Sequence, residues 1–363
     1  MTGERESNFE LLRVISIFFI VVHHCATFSF IIPENDPVSG SYVLMYCLNF
    51  GTRVGVSCFV LLSGWFLSAY KEVGKKTARL VVQVTAASVF TMLIAIIMGS
   101  RPGFRYVFQS CLPLIYSTYW FATTYALLLL LSGYINQLLD VISRERFLGL
   151  VALFVTLAYI FPTFLRAYIV SMNLFNFITL YLIAAYMRRY SPTLFESRKW
   201  LAWAAILFFG LMAVGVVMLF MKEKIPFLGR VANGLMQQNM LTTLACSVAL
   251  FAGLKNCRMK QSKIVNFLGS ASFGVYLLHA TPHFDWWIIF LKIWDGLFPG
   301  TLNGYKSPMV LPYIVFSLIL TFAVCILIDV IYKKTIDRFA KKLINKIWDK
   351  YFSEAREKML QRE

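Results

Sequence analysis

The sequence has little charge, and acidic residues are almost absent from its hydrophobic stretches. Only 15% of its 363 residues are charged, whereas soluble domains carry about 25%. Apolar and aromatic residues make up 59% of the chain, and a core of that size would leave too little polar surface for a soluble protein. The composition therefore argues against intrinsic disorder and a secreted soluble protein. It predicts an all-α, polytopic integral membrane protein.

Motifs for metal binding and nucleotide hydrolysis are also missing. The seven cysteines form no C-x-x-C pair and there are only four histidines, so we expect no metal site and no disulfide framework. The sequence lacks the Walker A, G-x-S-x-G and H-E-x-x-H patterns, which argues against an ATP-driven pump, a hydrolase elbow and a zinc peptidase. Ion-coupled transporters usually keep carboxylates inside the membrane, and Asp329 lies at a predicted cytoplasmic end.

Ten stretches have the length and hydrophobicity of a membrane-spanning helix, which needs about 20 mainly apolar residues. They lie near residues 9–31, 42–68, 80–99, 117–136, 147–165, 170–187, 200–221, 235–253, 265–281 and 309–332. Residues 284–296 contain three tryptophans, which are favourable at the membrane surface, so this segment is predicted to form an interfacial helix.

The net charge of +17 follows the predicted membrane topology. With ten spans and a cytoplasmic N-terminus, 26 of the 35 lysines and arginines fall on the cytoplasmic side and eight on the outer side. This distribution satisfies the positive-inside rule, so both termini are predicted to be cytoplasmic. The basic charge is therefore assigned to sorting by the lipid bilayer, and no nucleic-acid partner is expected.

We divide the chain into a transmembrane domain, residues 1–333, and a basic tail, residues 334–363. Apolar residues of the tail recur at roughly helical spacing among lysines and arginines. Two interpretations remain open: an amphipathic helix on the inner membrane surface, and a solvated basic tail that only anchors the topology.

The first hydrophobic stretch carries an unusual polar stripe. Arg13 and His24 are eleven residues apart, which is three helical turns plus about 20°, so they share one helix face about 16 Å apart. His23 points about 100° away from this stripe. An imidazole that titrates near the working pH suits proton transfer. The alternative is structural, with Arg13 reaching the interface and His24 bonding a neighbouring helix.

Further cations are found in and after the second hydrophobic stretch. Arg53 falls near mid-span, where an arginine must face a partner, a group of carbonyls or water. The following loop contains Lys71, Lys75, Lys76 and Arg79, which form a candidate phosphate site. The same loop charges are equally explained as a topology signal.

Two polar and aromatic groups are predicted near the outer surface. Ser272, Tyr276 and His279 have the spacing i, i+4, i+7 and share a helix face. Tyr119 and Trp120 begin the fourth stretch, either as substrate contacts or as part of an aromatic belt.

Four segments resemble the membrane-bound acyltransferase 3 family, in the family's order. "ELLRVISIFFIVVHH" resembles the first helix, in which ten residues separate an arginine from a histidine, as between Arg13 and His24. "CFVLLSGWFLS" (58–68), "STYWFATTYALLLLLSGYIN" (117–136) and "GSASFGVYLLHATP" (269–282) resemble the Ser-Gly-aromatic, Trp-Phe and late histidine segments. The similarity extends over about residues 8–333.

The resemblance implies transfer of an acyl group, usually acetyl from acetyl-CoA, to a hydroxyl of a cell-surface or lipid-linked glycan at the bacterial cytoplasmic membrane. It implies that His24 is catalytic, either as the base or as the acyl acceptor, and that Arg13 is essential. Tyr119, Trp120, Tyr276 and His279 are the expected glycan contacts.

The resemblance also implies a binding site for CoA at the cytoplasmic side. The family's Arg-x-x-Arg pair reads Lys76-Thr-Ala-Arg79 here, and lysine preserves the charge but loses the bidentate phosphate contact. We assign Lys75, Lys76, Arg79 and Arg53 to the donor.

A secondary transporter or flippase for a lipid-linked saccharide is the alternative, because it also needs a polar cavity with aromatic and cationic residues. The scarcity of intramembrane carboxylates and the stripe on the first helix favour the enzyme. A purely structural membrane subunit would leave Arg53 and His24 without a purpose.

Overall fold

The computed structural model of the chain describes residues 6–33, 36–69, 73–166 and 172–360. These residues form helices and no β-strand, which confirms the all-α prediction. The α-helices are α1 (Ser7–Ser29), α2 (Gly40–Phe50), α3 (Thr52–Leu67), α4 (Val73–Ile97), α5 (Phe104–Cys111), α6 (Trp120–Val141), α7 (Arg144–Val155), α8 (Met172–Tyr190), α9 (Trp200–Met221), α10 (Pro226–Gly234), α11 (Leu241–Lys255), α12 (Lys263–His279), α13 (Trp286–Leu297), α14 (Val310–Lys334) and α15 (Ile336–Leu360). A π-helix, Thr156–Leu165, continues α7, and a 3-10 turn spans Thr193–Phe195.

Within the described ranges, seven helical stretches are long and apolar enough to cross a membrane. They are Ser7–Ser29, Gly40–Leu67, Val73–Ile97, Trp120–Val141, Arg144–Leu165, Trp200–Met221 and Val310–Trp348. The other three predicted spans correspond to α8, α11 and α12, of which α11 and α12 have 15 and 17 residues. The chain is thus a multi-pass membrane protein, while the count of ten spans and the cytoplasmic termini stay predictions.

Two predicted spans are less regular than a single α-helix. The stretch 42–68 is divided into α2 and α3 at Gly51. The stretch 147–165 changes from α7 to the π-helix, which contains Pro162; proline has no N–H to donate and favours such a change in the hydrogen-bond ladder. The predicted helix at 284–296 is present as α13.

Helix α1 lies at the centre of the bundle and packs against α2, α3, α11, α12, α13 and α14. Small residues permit its closest contacts. A Cβ atom at Gly55 of α3 would lie 2.6 Å from the carbonyl oxygen of Ser16, and one at Gly269 of α12 would collide with Glu10. Close packing of this kind holds α3 and α12 directly against α1.

Helix α15 forms the tail and packs against α4 and α14. Four apolar side chains on one of its faces are exposed: Ile336, Phe339, Leu343 and Ile347. On another face, Asn345 Oδ1 accepts a hydrogen bond from Arg79 Nη2 at 3.1 Å. The location of the tail at the inner membrane surface stays a prediction.

Candidate active site

Three neighbouring cavities follow the face of α1 that carries Arg13 and His24. The charged cavity, about 660 Å³, is lined by Glu6, Glu10, Arg13, Lys76, Arg79 and Asp337 among others. The histidine cavity, about 210 Å³, is lined by His23, His24 and Arg53 together with apolar residues. The tryptophan cavity, about 430 Å³, is lined by Trp120, Trp286, Trp287, Tyr119, His279 and Asp285 among others.

Shared walls join the cavities in series. The charged and histidine cavities have three lining residues in common, Phe59, Phe121 and Phe273, which we call the phenylalanine partition. The rings of Phe59 and Phe121 are 6.3 Å apart. The histidine and tryptophan cavities share His24, Phe28, Trp120 and Tyr276. His24 therefore lies at the junction of the second and third cavities.

His24 is in direct contact with His279 of α12. His24 Nδ1 lies 3.0 Å from His279 Nε2, and the two ring centroids are 5.0 Å apart. The other ring nitrogen of His279, Nδ1, is 2.7 Å from the carbonyl oxygen of Val275, one turn back on the same helix. His279 is buried, with 4% of its surface exposed. It was predicted as a glycan contact; it lines the tryptophan cavity but its ring nitrogens are engaged by protein atoms.

His23 also lines the histidine cavity, although the helical wheel turns it away from Arg13 and His24. Its Nδ1 lies 2.7 Å from Asn49 Oδ1. The Asn49 amide is oriented by two further contacts, since its Nδ2 donates to the Met45 carbonyl and its Oδ1 accepts from Thr27. The contact between His23 and Asn49 was not predicted from the sequence, because Asn49 belongs to α2 and is 26 residues away.

Arg53 faces the histidine cavity and not the charged one. Arg53 was predicted to bind the donor together with Lys75, Lys76 and Arg79. The structure places it on α3 beside His24, away from Lys76 and Arg79 in the charged cavity. Among the described residues, its guanidinium forms no hydrogen bond or ion pair. An arginine within a membrane protein that has no protein partner is a candidate for contact with a substrate.

The charged cavity contains both signs of charge. Arg13 forms an ion pair with Glu10, one turn earlier on α1, and its guanidinium carbon lies 5.7 Å from the centroid of the Phe66 ring. Glu10 is buried, with 3% exposed. The sequence offered a signal for this pair, because oppositely charged residues at i and i+3 are neighbours on a helix.

Lys76 and Arg79 line the charged cavity together with Arg13, and their assignment to the donor stays a prediction. The Nε atom of Arg79 is buried and lacks a hydrogen-bond partner among the described residues. Lys75 does not line this cavity, because it precedes Lys76 on α4 and turns to another face. Lys71 lies outside the described residues.

The tail helix also contributes to the charged cavity. Asp337 lines it and forms an ion pair of 2.5 Å with Lys341. Residues 334–363 were predicted to form a separate tail, and this contact with the cavity was not predicted. No local signal was available for it, because the contact depends on how α15 folds back against α4.

The tryptophan cavity contains three of the predicted acceptor contacts besides His279. Tyr119 and Tyr276 are mostly buried, whereas Trp120 is 37% exposed. The centroids of the Tyr119 and Tyr276 rings are 6.4 Å apart. The aromatic rings of this cavity can pack on the apolar faces of a ligand. The Thr281 hydroxyl and the Asp285 carboxylate, which line the same cavity, can accept hydrogen bonds from it.

The loop after α12, which carries Thr281 and Asp285, is anchored by His283. Its ring nitrogens lie 3.2 Å from the hydroxyl of Ser88 and 2.9 Å from that of Tyr106. Burial lowers the pKa of His283, which favours its neutral form. The loop is thereby fixed against α4 and α5, and Asp285 caps α13 by accepting from the Trp287 N–H at 2.8 Å.

Comparisons with known proteins identify the family. A family model described as an acyltransferase domain, that of the acyltransferase 3 family, matches residues 6–330. Neither the curated proteins nor the solved structures give a significant match. The described part of the chain contains no group of three or more His, Cys, Asp or Glu side chains arranged to hold a metal ion. Since the matched region covers most of the 363 residues, the chain belongs to the acyltransferase 3 family.

Proposed function

We propose that the protein transfers an acetyl or similarly short acyl group from acyl-CoA to a hydroxyl of a cell-surface or lipid-linked glycan. The family supports an acyltransferase; the donor, the acceptor and the residue roles are our proposal. The observation that carries it is the position of His24 between the histidine and tryptophan cavities, on the same α1 face as the charged cavity.

The charged cavity is the proposed site for the phosphates of the donor. Arg79 has a buried N–H that finds no partner among the described residues, and Lys76 and Arg13 line the same space. Guanidinium groups bind phosphate through paired hydrogen bonds. A volume of about 660 Å³ also falls within the usual range for small-molecule sites, roughly 300–1,000 Å³. The residues present therefore fit an acyl-CoA, with Glu10 holding Arg13 in place.

From the charged cavity, the arm of the donor has to pass the phenylalanine partition to reach His24. The histidine cavity then contains the thioester, beside Arg53 and His24. A fixed cation stabilises the negative charge that develops on the carbonyl oxygen when a nucleophile attacks. We assign this role to Arg53. It therefore still contacts the donor, at the thioester and not at the phosphates.

His24 acts on the acceptor hydroxyl or on the acyl group itself. As a base it removes the hydroxyl proton during attack; as a nucleophile it first accepts the acyl group. The glycan enters through the tryptophan cavity, where Trp120, Tyr119 and Tyr276 offer aromatic surfaces. In the bacterial cytoplasmic membrane, with both termini inside, this cavity opens outward and the charged cavity opens toward cytoplasmic acyl-CoA.

The test is acyl transfer by membranes that contain the full chain. Vesicles are supplied with radiolabelled acetyl-CoA and the surface polysaccharide of the same cells, and acetyl esters are measured. We expect labelled ester with the wild-type protein and a loss of at least 10²-fold with His24→Ala at equal expression, because the reacting group is removed. Arg258→Gln, an exposed cation outside the three cavities, serves as the control.

Two results would contradict this proposal. Transfer that is unchanged in His24→Ala would exclude His24 as the reacting group. Saccharide export that depends on the protein, without acetyl-CoA binding and without any ester, would show the transporter instead.

A further inference from the structure

We propose that His279 is a positioning residue that holds His24 in the one tautomer whose Nε2 atom can react. The proposal rests on the proposed function, because it concerns the atom through which His24 acts. It is derived from hydrogen-bond directions around two residues that are 255 positions apart in the chain.

The first step concerns the proton on His279. Its Nδ1 lies 2.7 Å from the Val275 carbonyl oxygen, and a carbonyl oxygen only accepts hydrogen bonds. Nδ1 of His279 therefore carries the hydrogen. A neutral imidazole has a single N–H, so the Nε2 atom of His279 has a lone pair and accepts.

The second step carries this direction to His24. His279 Nε2 lies 3.0 Å from His24 Nδ1, a normal distance for a hydrogen bond. Since His279 accepts, His24 Nδ1 donates and carries the hydrogen of the neutral ring. The lone pair of His24 is then on Nε2, which has no hydrogen-bond partner among the described residues. The backbone of α12 thus determines which nitrogen of α1 is basic.

The Arg53 cation favours the neutral pair, whereas the Asp285 carboxylate is engaged as the cap of α13. Arg53 lines the histidine cavity with His23 and His24, and Tyr276, Tyr119 and Asp285 line the tryptophan cavity with His24. Protonation of the His24–His279 pair would add a positive charge near the Arg53 guanidinium. Like charges repel more strongly in a medium of low dielectric constant than in water.

The tautomer allows a complete transfer cycle at one atom. His24 Nε2 takes the proton of the acceptor hydroxyl while the hydroxyl oxygen bonds to the thioester carbon; the carbon–sulfur bond then breaks, and Nε2 returns the proton to the departing sulfur. The products are the ester and free CoA. Throughout, the hydrogen on Nδ1 stays directed at His279, which stabilises the imidazolium as the orienting group of a catalytic histidine does. In the acyl-histidine route, Nε2 is the attacking atom instead.

His23 provides an internal comparison. Its Nδ1 also donates, to Asn49 Oδ1 at 2.7 Å, but it lines only the histidine cavity, whereas His24 also lines the tryptophan cavity. Removing the partner of His23 should therefore matter far less for transfer than removing the partner of His24.

The tautomer can be measured directly, because the chain contains only four histidines. In the full-length protein in lipid bilayers, labelled with ¹⁵N-histidine, protonated and unprotonated ring nitrogens give well-separated NMR signals. Variants His24→Ala and His279→Gln identify the signals of the pair. We expect His24 to be protonated at Nδ1 and unprotonated at Nε2; a hydrogen on Nε2 of neutral His24 would overturn the proposal without any activity measurement.

Kinetics of three variants separate positioning from packing. A glutamine places its amide oxygen near the position of His Nε2 and can accept from His24, whereas an asparagine reaches only the Nδ1 position. We expect His279→Leu and His279→Asn to lower kcat about 10²-fold, with KM for acetyl-CoA within about twofold of wild type. His279→Gln should recover about tenfold of that loss, and Asn49→Leu should lower kcat by less than about tenfold.

The outcomes distinguish this inference from the proposed function. If His24→Ala abolishes transfer but His279→Leu keeps the wild-type kcat, His279 does not position His24. Equal rescue by glutamine and asparagine would also contradict the proposal, since only glutamine restores the acceptor. If His24→Ala remains active, the proposed function fails, whichever tautomer the NMR signals show.

Discussion

The charged cavity and the histidine cavity lie on the same face of α1 and differ in how their charges are compensated. In the charged cavity, carboxylates accompany the cations: Arg13 is paired with Glu10 and Asp337 with Lys341. Arg79 in the same cavity donates a hydrogen bond to Asn345 and has no ion pair among the described residues. In the histidine cavity, Arg53 has no ion-pair partner among the described residues. A paired cation already has its counter-charge, whereas an unpaired cation in a poorly hydrated cavity interacts strongly with any negative charge that enters. This difference supports our proposal that the donor binds in the first cavity and that the transfer takes place in the second.

The phenylalanine partition separates the two environments. Phe59, Phe121 and Phe273 line both cavities, so three aromatic rings form the boundary between them. Apolar rings beside a charged group weaken the screening of its electrostatic interactions. The comparison can be tested by substitutions on each side of the partition and in the partition itself.

The largest effect is expected on the histidine side. Arg53→Gln removes the unpaired cation, so kcat should fall about 10²-fold, as on loss of a donor from an oxyanion site, while KM for acetyl-CoA changes less than about threefold. Arg53→Lys should retain part of the rate because it keeps the charge. Steady-state kinetics in vesicles measure both. A rise in KM without a change in kcat would place Arg53 in donor binding alone.

The next effect is expected on the charged side. Arg79→Gln and Lys76→Gln remove the proposed phosphate contacts, which would be made equally before and during the reaction, so each should raise KM for acetyl-CoA about tenfold with little change in kcat. Acetyl-pantetheine, which lacks the nucleotide phosphates, provides the matched substrate. Its KM should be the same in these variants and in the wild type; an equal rise for both substrates would contradict a phosphate role.

Substitution within the partition should change selectivity more than rate. Phe59→Ala enlarges the passage between the cavities, so the ratio of butyryl to acetyl transfer should rise about threefold or more, within the range for a few methylenes in an apolar site. Phe90→Ala, on α4 and 39% exposed, is the control for loss of a phenylalanine. An unchanged ratio, with normal expression, would mean that the donor does not pass the partition.

The smallest effect is expected at the tail. Asn345→Ala removes the acceptor of the 3.1 Å hydrogen bond from Arg79, which should raise KM for acetyl-CoA about twofold, since an exposed hydrogen bond contributes little. Lys346→Gln, an exposed neighbour on α15, should have no effect. A larger effect of Lys346→Gln than of Asn345→Ala would show that the charge of the tail matters and its contact with Arg79 does not.

Local patterns in the sequence predicted most of the long helices and which residues of one helix lie on the same face. The spacing of Arg13 and His24 placed both on one side of α1, and they line neighbouring cavities of the structure. The spacing of Tyr276 and His279 likewise placed both beside the tryptophan cavity. Helical periodicity predicts such relations because residues on one helix keep a fixed angle whatever surrounds the helix.

The structure places Arg53 and Lys75 apart from Lys76 and Arg79, since only the last two line the charged cavity; the assignment of all four to the donor stays a prediction. Charge alone grouped them, and charge does not show which face of α3 or α4 a residue occupies after packing. The contact of Asp337 with the same cavity was equally out of reach, since it depends on the fold of α15 against α4.

Composition and helical period were enough to assign the class of the protein, because both are local properties, and four ordered segments indicated the family. Which nitrogen of His24 is engaged depends on the packing of α12 against α1, which brings His279 to His24. Gly269 allows these two helices to approach closely. Contacts between helices depend on the shapes of both surfaces, and a linear pattern contains only one surface at a time.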